Sequence, residues 1–118
     1  MKTTINIIKA LADKSRLRVV AALIEYEELC ACQIVEMLGF SPATVSKHMS
    51  LLCNANLIKS RKDGRWVYYS LSGSMPKLLN KWLYDEFSKS NDIKKDKETI
   101  KKILAYELSD LCKLQKRY

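Results

Sequence analysis

The residues in this chain best suited to chemistry are Cys30 and Cys32, two thiols one residue apart in the run Glu28-Leu29-Cys30-Ala31-Cys32. Thiolate sulfur is a soft donor and selects soft, thiophilic ions over hard ones. A helix start is also where the macrodipole lowers a thiol's pKa, and Ala31 onward reads as a helix start. Residues i and i+2 of a regular helix point about 200° apart. Both thiols therefore reach one ion only if Cys30 lies ahead of the regular helix, or if the first turn unwinds. An unwinding turn would itself serve as a switch. Taken alone, a bare C-x-C fits two small buried residues at a helix start better than it fits a site.

The remaining thiols are less distinctive. Cys53 follows Met49 by four and leans toward a core stripe. Cys112 lies near the C-terminus and reads equally as a distant ligand or as a spare thiol on a basic tail. The one histidine, His48, falls in a helix rather than beside a second ligand, so it packs or touches a partner. Sets that would mark an enzyme are missing: no Ser-His-Asp group, no Gly-rich phosphate loop and no H-E-x-x-H occurs, and no C-x-x-C stands in a βαβ context.

These residues need elements to hold them. Ile5, Ile8, Leu11 and Ala12 recur at helical spacing. Asp13 then caps a second helix with Leu17, Val20 and Ile24 inward. A short third helix runs from Cys30 or Ala31 to Leu38 and ends at Gly39, where only glycine enters left-handed backbone cheaply. Ser41 and Pro42 supply the N-cap and first position of a fourth helix, reaching about Ala55. Val45, Met49 and Leu52 line its inner side. Ala43, Lys47, Ser50 and Asn54 leave the outer side slim and polar. After Leu57 the period drops to two, and Asp63-Gly64 predicts a type I′ hairpin turn between Ile58–Lys62 and Arg65–Leu71. A fifth helix begins near Met75-Pro76 with Leu78, Leu79, Trp82, Leu83 and Phe87 on its apolar side. Ser88–Lys95 reads as a polar connector. Asp96 then caps a sixth helix bearing Ile100, Ile103, Leu104 and Leu108, and the tail from Cys112 frays.

This order, mainly α with a β-hairpin, predicts a winged helix–turn–helix with an added C-terminal helix. A slim fourth helix suits a major groove about 12 Å wide. Ser41, Ala43, Thr44, Ser46, Lys47, His48 and Ser50 are its candidate DNA contacts. Lys59, Arg61, Lys62 and Arg65 surround the hairpin tip and suit phosphates beside the groove. The formal net charge of +8 on 118 residues points the same way. The charge is uneven: residues 30–56 carry only Lys47 and Glu36, while residues 57–66 carry four cations against Asp63. Charge should thus supply backbone affinity while short polar side chains supply readout. With Gly 3 and Pro 2 the chain is no linker, and its length fits one core. The division expected is a DNA-binding and dimerisation domain over 1–90 and a helical extension with a basic tail over 91–118. The absence of an apolar leader or an 18-residue apolar run leads to a cytoplasmic expectation, with reduced thiols and no membrane partner.

The pieces KALADKSRLRVV, ELCAC, EMLGFSPATVSKHMSLL and LIKSRKDGRWVYYSL resemble the ArsR/SmtB family of metal-responsive repressors. The resemblance implies a homodimer built on the first and fifth helices. It also implies operator binding through the fourth helix and wing, with release on inducer binding. Pro42 departs from the family motif, where Gln is usual. ELCAC resembles the ELCVC element through which arsenical- and cadmium-sensing members bind their inducer, which implies As(III) or Sb(III) on Cys30 and Cys32. Arsenical sensors of the best-known pattern carry a third Cys three residues later, but here that position is Val35. The third ligand is then Cys112, less readily Cys53, or a water or hydroxide. Cadmium-sensing members add N-terminal cysteines, which residues 1–29 lack. A cysteine redox or persulfide regulator, or one responding to Cd(II) or Pb(II), is the alternative on the same DNA-binding fold.

Overall fold

The structure is a computed structural model and describes residues 1–115. Its helices are α1 (Lys2–Leu11), α2 (Lys14–Glu25), α3 (Ala31–Leu38), α4 (Pro42–Asn54), α5 (Lys77–Phe87), α6 (Asn91–Ile103) and α7 (Leu108–Gln115). Its strands are β1 (Leu29–Cys30), β2 (Ile58–Asp63) and β3 (Trp66–Leu71). No helix among the described residues is long and apolar enough to cross a membrane.

Local chemistry sets the element ends. Asp13 caps α2, its carboxylate accepting from the Arg16 amide at 3.0 Å, which satisfies a backbone donor with no partner inside the helix. Ser41 does the same for α4 by accepting from the Thr44 amide at 3.3 Å, and Pro42 stands at the first turn. Gly39 ends α3 at φ +73°. The core joins Val19 and Val20 of α2, Leu29 of β1, Ile34 of α3, Met49 and Leu52 of α4, and Leu57, all essentially buried. Each such aliphatic side chain contributes roughly 1.5–3 kcal/mol by leaving water.

Several expectations change. The hairpin register pairs Asp63 with Trp66, so the turn residues are Gly64 and Arg65 rather than Asp63 and Gly64. Of these two, only Gly64 has positive φ, which fits a type II′ turn and not type I′. The hairpin is also not alone: β1 pairs antiparallel with β3, giving the order β1-β3-β2. Two residues are too few for alternation to announce a strand.

The larger corrections lie near the C-terminus. Ser90, not Asp96, caps the sixth helix, accepting from the Ile93 amide at 3.3 Å, so residues 91–95 are helical rather than a connector. Asp96 is buried inside α6. Arg18 Nε and Nη2 donate to its two oxygens at 2.8 Å each, and Nη2 also reaches the Met37 carbonyl at 3.1 Å. One guanidinium thus ties α2, α3 and α6. Its pKa is raised by the Asp96 hydrogen bonds against the opposing effect of burial. Leu108 opens α7 instead of closing α6. The segment from Cys112 to Gln115 is helical, with Leu111 and Gln115 buried; the expected fray of residues 116–118 lies outside the described residues. In α5 only Leu83 is buried, and Leu78 and Trp82 of the expected inner stripe are exposed.

Candidate functional site

The thiol pair sits where β1 becomes α3. Cys30 is extended (φ −74°, ψ 148°) and is the N-cap residue of α3, paired across the sheet with Tyr68. Gln33 Oε1 accepts from its amide at 2.8 Å. Because Cys30 lies outside the helix, the 200° separation does not apply, and the two sulfurs stand 3.5 Å apart. No first turn has to unwind for both to meet one ion, so the expected unwinding switch loses its premise.

The pair is electrostatically divided. The Cys32 thiol donates to the Cys30 sulfur, and the amides of Cys32, Ala31 and Val67 also favour negative charge there; together they overcome burial and bring Cys30 down to about 6. Cys32 is pushed up by holding that hydrogen bond, by burial, by the Cys30 charge and by Cys112. The resting pair at neutral pH is a Cys30 thiolate and a Cys32 thiol. The hydrogen bond from the Cys32 thiol is the chief cause, and the helix-start amides aimed at the sulfur add to it.

Cys30 and Cys32 open into a cavity of about 410 Å³. Its walls come from α3, from Ser46 and Met49 of α4, from Arg65 and Trp66 at the hairpin, and from Cys112 of α7. α7 is fixed there by Leu111 and by Gln115, whose Nε2 donates to the Cys32 carbonyl at 2.6 Å and to Glu36 Oε1 at 3.3 Å. Cys112 is therefore a thiol in the cavity wall and not one on a loose tail. Cys53 is not in that wall; it is half-buried against the core, and burial raises its pKa. The wall contains no carboxylate and no imidazole. Its three thiols, Cys30, Cys32 and Cys112, are soft donors and fit a thiophilic ion. Among the described residues no three His, Cys, Asp or Glu side chains already stand in a ready-made metal cluster.

The residues expected to face nucleic acid separate into three behaviours. Ala43, Thr44, Ser46, Lys47 and Ser50 are exposed along one side of α4. Ser41 is occupied at the cap, its hydroxyl donating to Thr44 Oγ1 at 3.0 Å. His48 turns toward α2: its Nδ1 lies 3.0 Å from Arg16 Nη1, and since arginine only donates, Nδ1 accepts. Lys59, Arg61, Lys62 and Arg65 are all exposed on the wing. Arg65 lies over the Trp66 ring at 4.5 Å. Arg61 lies over Tyr68 at 4.3 Å and is held by both oxygens of Glu28 at 2.6 and 2.7 Å, which keeps the Glu28 carboxyl below its ordinary range. Sequence reasoning missed Glu28 and Gln115, because their partners are 33 and 79–83 residues distant.

The profile described as "Bacterial regulatory protein, arsR family" matches residues 13–60. The Arsenical resistance operon repressor of Escherichia coli (strain K12) is 42% identical over 72 residues, covering 61% of this chain and 62% of that protein. The Cadmium resistance transcriptional regulatory protein CadC of Listeria innocua is 40% identical over 72 residues, covering 61% and 59%. The match therefore spans about 60% of the length of these curated relatives. The Arsenic resistance transcriptional regulator ArsR2 of Pseudomonas putida is 30% identical over 83 residues, covering 70% of this chain and 72% of that protein. The chain belongs to the ArsR family. Members of this family are transcriptional regulators and not enzymes. Among solved structures, HlyU from Vibrio cholerae superposes on this ArsR-family chain with a TM-score of 0.66 at 25% identity, covering 75% of this chain and 95% of that one. A homodimeric winged helix–turn–helix domain from Mycobacterium bovis gives 0.59 at 22%, covering 70% and 72%, and shows the fold alone. The ArsR-family fold here is the winged helix–turn–helix, with β1 as the third strand of the wing sheet.

Proposed function

We propose that this chain is a homodimeric DNA-binding repressor that leaves its operator when Cys30 and Cys32 take up a thiophilic metalloid, As(III) or Sb(III). The observation that carries this reading is the 3.5 Å sulfur pair, facing a cavity walled by soft donors, by α4 and by the hairpin. The exposed side of α4 enters the major groove, and Lys59, Arg61, Lys62 and Arg65 hold phosphates beside it. The exposed apolar residues Ile8 of α1 and Leu78 and Trp82 of α5 support a dimer contact over those two helices.

Release follows from where the cavity lies. An ion on the two sulfurs sits between the recognition helix and the wing, with Ser46 and Arg65 in its wall. Filling that space alters the angle between the two DNA-reading elements. A dimer must keep its half-sites about 34 Å apart, so a small tilt in each protomer costs operator affinity. The names of the arsenical and cadmium relatives support a metal or metalloid inducer. Three thiols in the wall, with no carboxylate or imidazole beside them, favour trivalent arsenic or antimony over cadmium, which takes four ligands. A second reading, thiol oxidation or persulfidation, draws on the low pKa of Cys30.

The test is a gel shift on DNA upstream of the gene, titrated with arsenite, antimonite, cadmium and peroxide. Arsenite should release the DNA in the presence of a peroxide scavenger, and Cys30→Ser should not respond while still binding DNA. Release by peroxide or polysulfide alone would overturn the metalloid reading in favour of the second.

A further inference from the structure

We infer that Cys112 of α7 supplies the third sulfur of the metalloid site, so that one chain closes a three-thiolate pyramid from β1, α3 and α7. The inference rests on the metalloid reading above and extends it to the ligand set and to the role of the C-terminal helix. Three observations carry it. Cys30, Cys32 and Cys112 line one cavity, and no His, Asp or Glu shares it. The fourth cysteine, Cys53, lies elsewhere, against the core. And α7 is bolted in register over the pair: Leu111 is buried to 1% exposure, and Gln115, one turn before whose position Cys112 stands, donates to the Cys32 carbonyl at 2.6 Å.

The chemistry is a ligand exchange without redox change. Neutral As(OH)₃ loses its three hydroxides as three As–O bonds break and three As–S bonds form. The incoming groups deliver three protons, already on sulfur or drawn from solvent for the Cys30 thiolate, and three waters leave. The sulfurs are not yet clustered as ligands, so the Cys112 side chain advances toward the 3.5 Å pair as the third bond forms. The bound ion then ties α7 covalently to the start of α3. A monosubstituted arsenical such as phenylarsine oxide has only two exchangeable positions and is satisfied by Cys30 and Cys32.

That difference is the test. Full-length protein, reduced with a phosphine, is loaded with arsenite or phenylarsine oxide and then alkylated, and the modified cysteines are mapped by mass spectrometry. Arsenite should protect Cys30, Cys32 and Cys112 and leave Cys53 reactive to the extent it is in free protein. Phenylarsine oxide should protect only Cys30 and Cys32. In titrations, Cys112→Ser should weaken arsenite binding by at least the 10–100-fold that even outer-shell partners of a metal cost. The same variant should keep its affinity for phenylarsine oxide, which also reports that the pair is intact and folded. Cys53→Ser should bind both like the wild type. Alkylation of Cys112 at the free-protein rate in the arsenite complex would overturn the inference while leaving the two-thiol reading standing. Unprotected Cys30 and Cys32 would overturn both.

Discussion

At the scale of single residues, position relative to a helix end decides reactivity. Cys30 and Cys32 are chemically the same side chain, but Cys30 receives the helix-start amides and the Cys32 thiol, while Cys32 gives its proton to that hydrogen bond. A thiol depressed to about 6 is largely thiolate at pH 7, whereas an ordinary one, near pKa 8.5, is mostly protonated. The rate of Cys30 alkylation against pH should therefore rise with a midpoint near 6 and flatten by about pH 7. Replacing Cys32 by Ala removes the donor, and the midpoint should move up toward the ordinary value. The sign for stability follows: the Cys30 shift favours the folded state fully above the unfolded thiol pKa and loses that contribution as pH falls through about 6. The upward shift of Cys32 acts oppositely, fully present below the unfolded value and lost as pH rises. A wild-type midpoint near 8.5 would contradict the divided pair.

At the scale of elements, the hairpin combines a tip that suits glycine with a charged rim. Gly64 has φ +60° and nothing within 4 Å of where a Cβ would stand, so a side chain there meets backbone strain and no clash. Gly64→Val should cost about 1–3 kcal/mol, read as a lowered denaturant midpoint with altered hairpin NMR signals. Arg61 of the wing is paired with the Glu28 carboxylate. An exposed, solvent-screened pair of this kind contributes little to stability, so a phosphate displaces the carboxylate readily. Arg61→Ala should weaken binding to all DNA sequences alike and reduce the salt slope by about 1. An unchanged slope would remove Arg61 from the phosphate contacts. The same strand order carries a physical link from sensor to wing, since Cys30 faces Tyr68 across one ladder and Tyr68 faces Arg61 across the next.

At the scale of the whole molecule, α6 and α7 are part of the layer that holds α3. The Arg18–Asp96 pair joins α2 to α6, with side chains only 20% and 9% exposed, and Leu111 and Gln115 hold α7 on α3. Breaking a buried pair by removing one partner leaves the other charge without compensation. Asp96→Ala should destabilise the protein by about 3–5 kcal/mol, measured by denaturant unfolding. A double replacement of Arg18 and Asp96 by apolar residues should recover much of that loss, because it also removes the stranded charge.

What is local is legible from residue types and spacing. Asp13, Ser41, Pro42 and Gly39 place helix ends within a turn or two of themselves, and their chemistry is readable without partners. The spacing of Val45, Met49 and Leu52 defines an inner face, and Asp63-Gly64 locates a hairpin. Residue type and spacing also single out Cys30 and Cys32, and with them a choice between a Cys30 that precedes the helix and a first turn that unwinds, which the extended Cys30 backbone decides for the former. What depends on distant partners emerges only when the chain is folded. A two-residue β1 has no period of its own and exists because β3 offers a ladder. Asp96 has the residue type of an N-cap and is instead a buried counter-ion, because Arg18 lies 78 residues away in sequence and 2.8 Å away in space. The tail from Cys112 has a basic, frayed composition, yet Leu111 finds a core site and Gln115 finds the Cys32 carbonyl. That long-range packing turns an undecided cysteine into part of the thiol cavity wall.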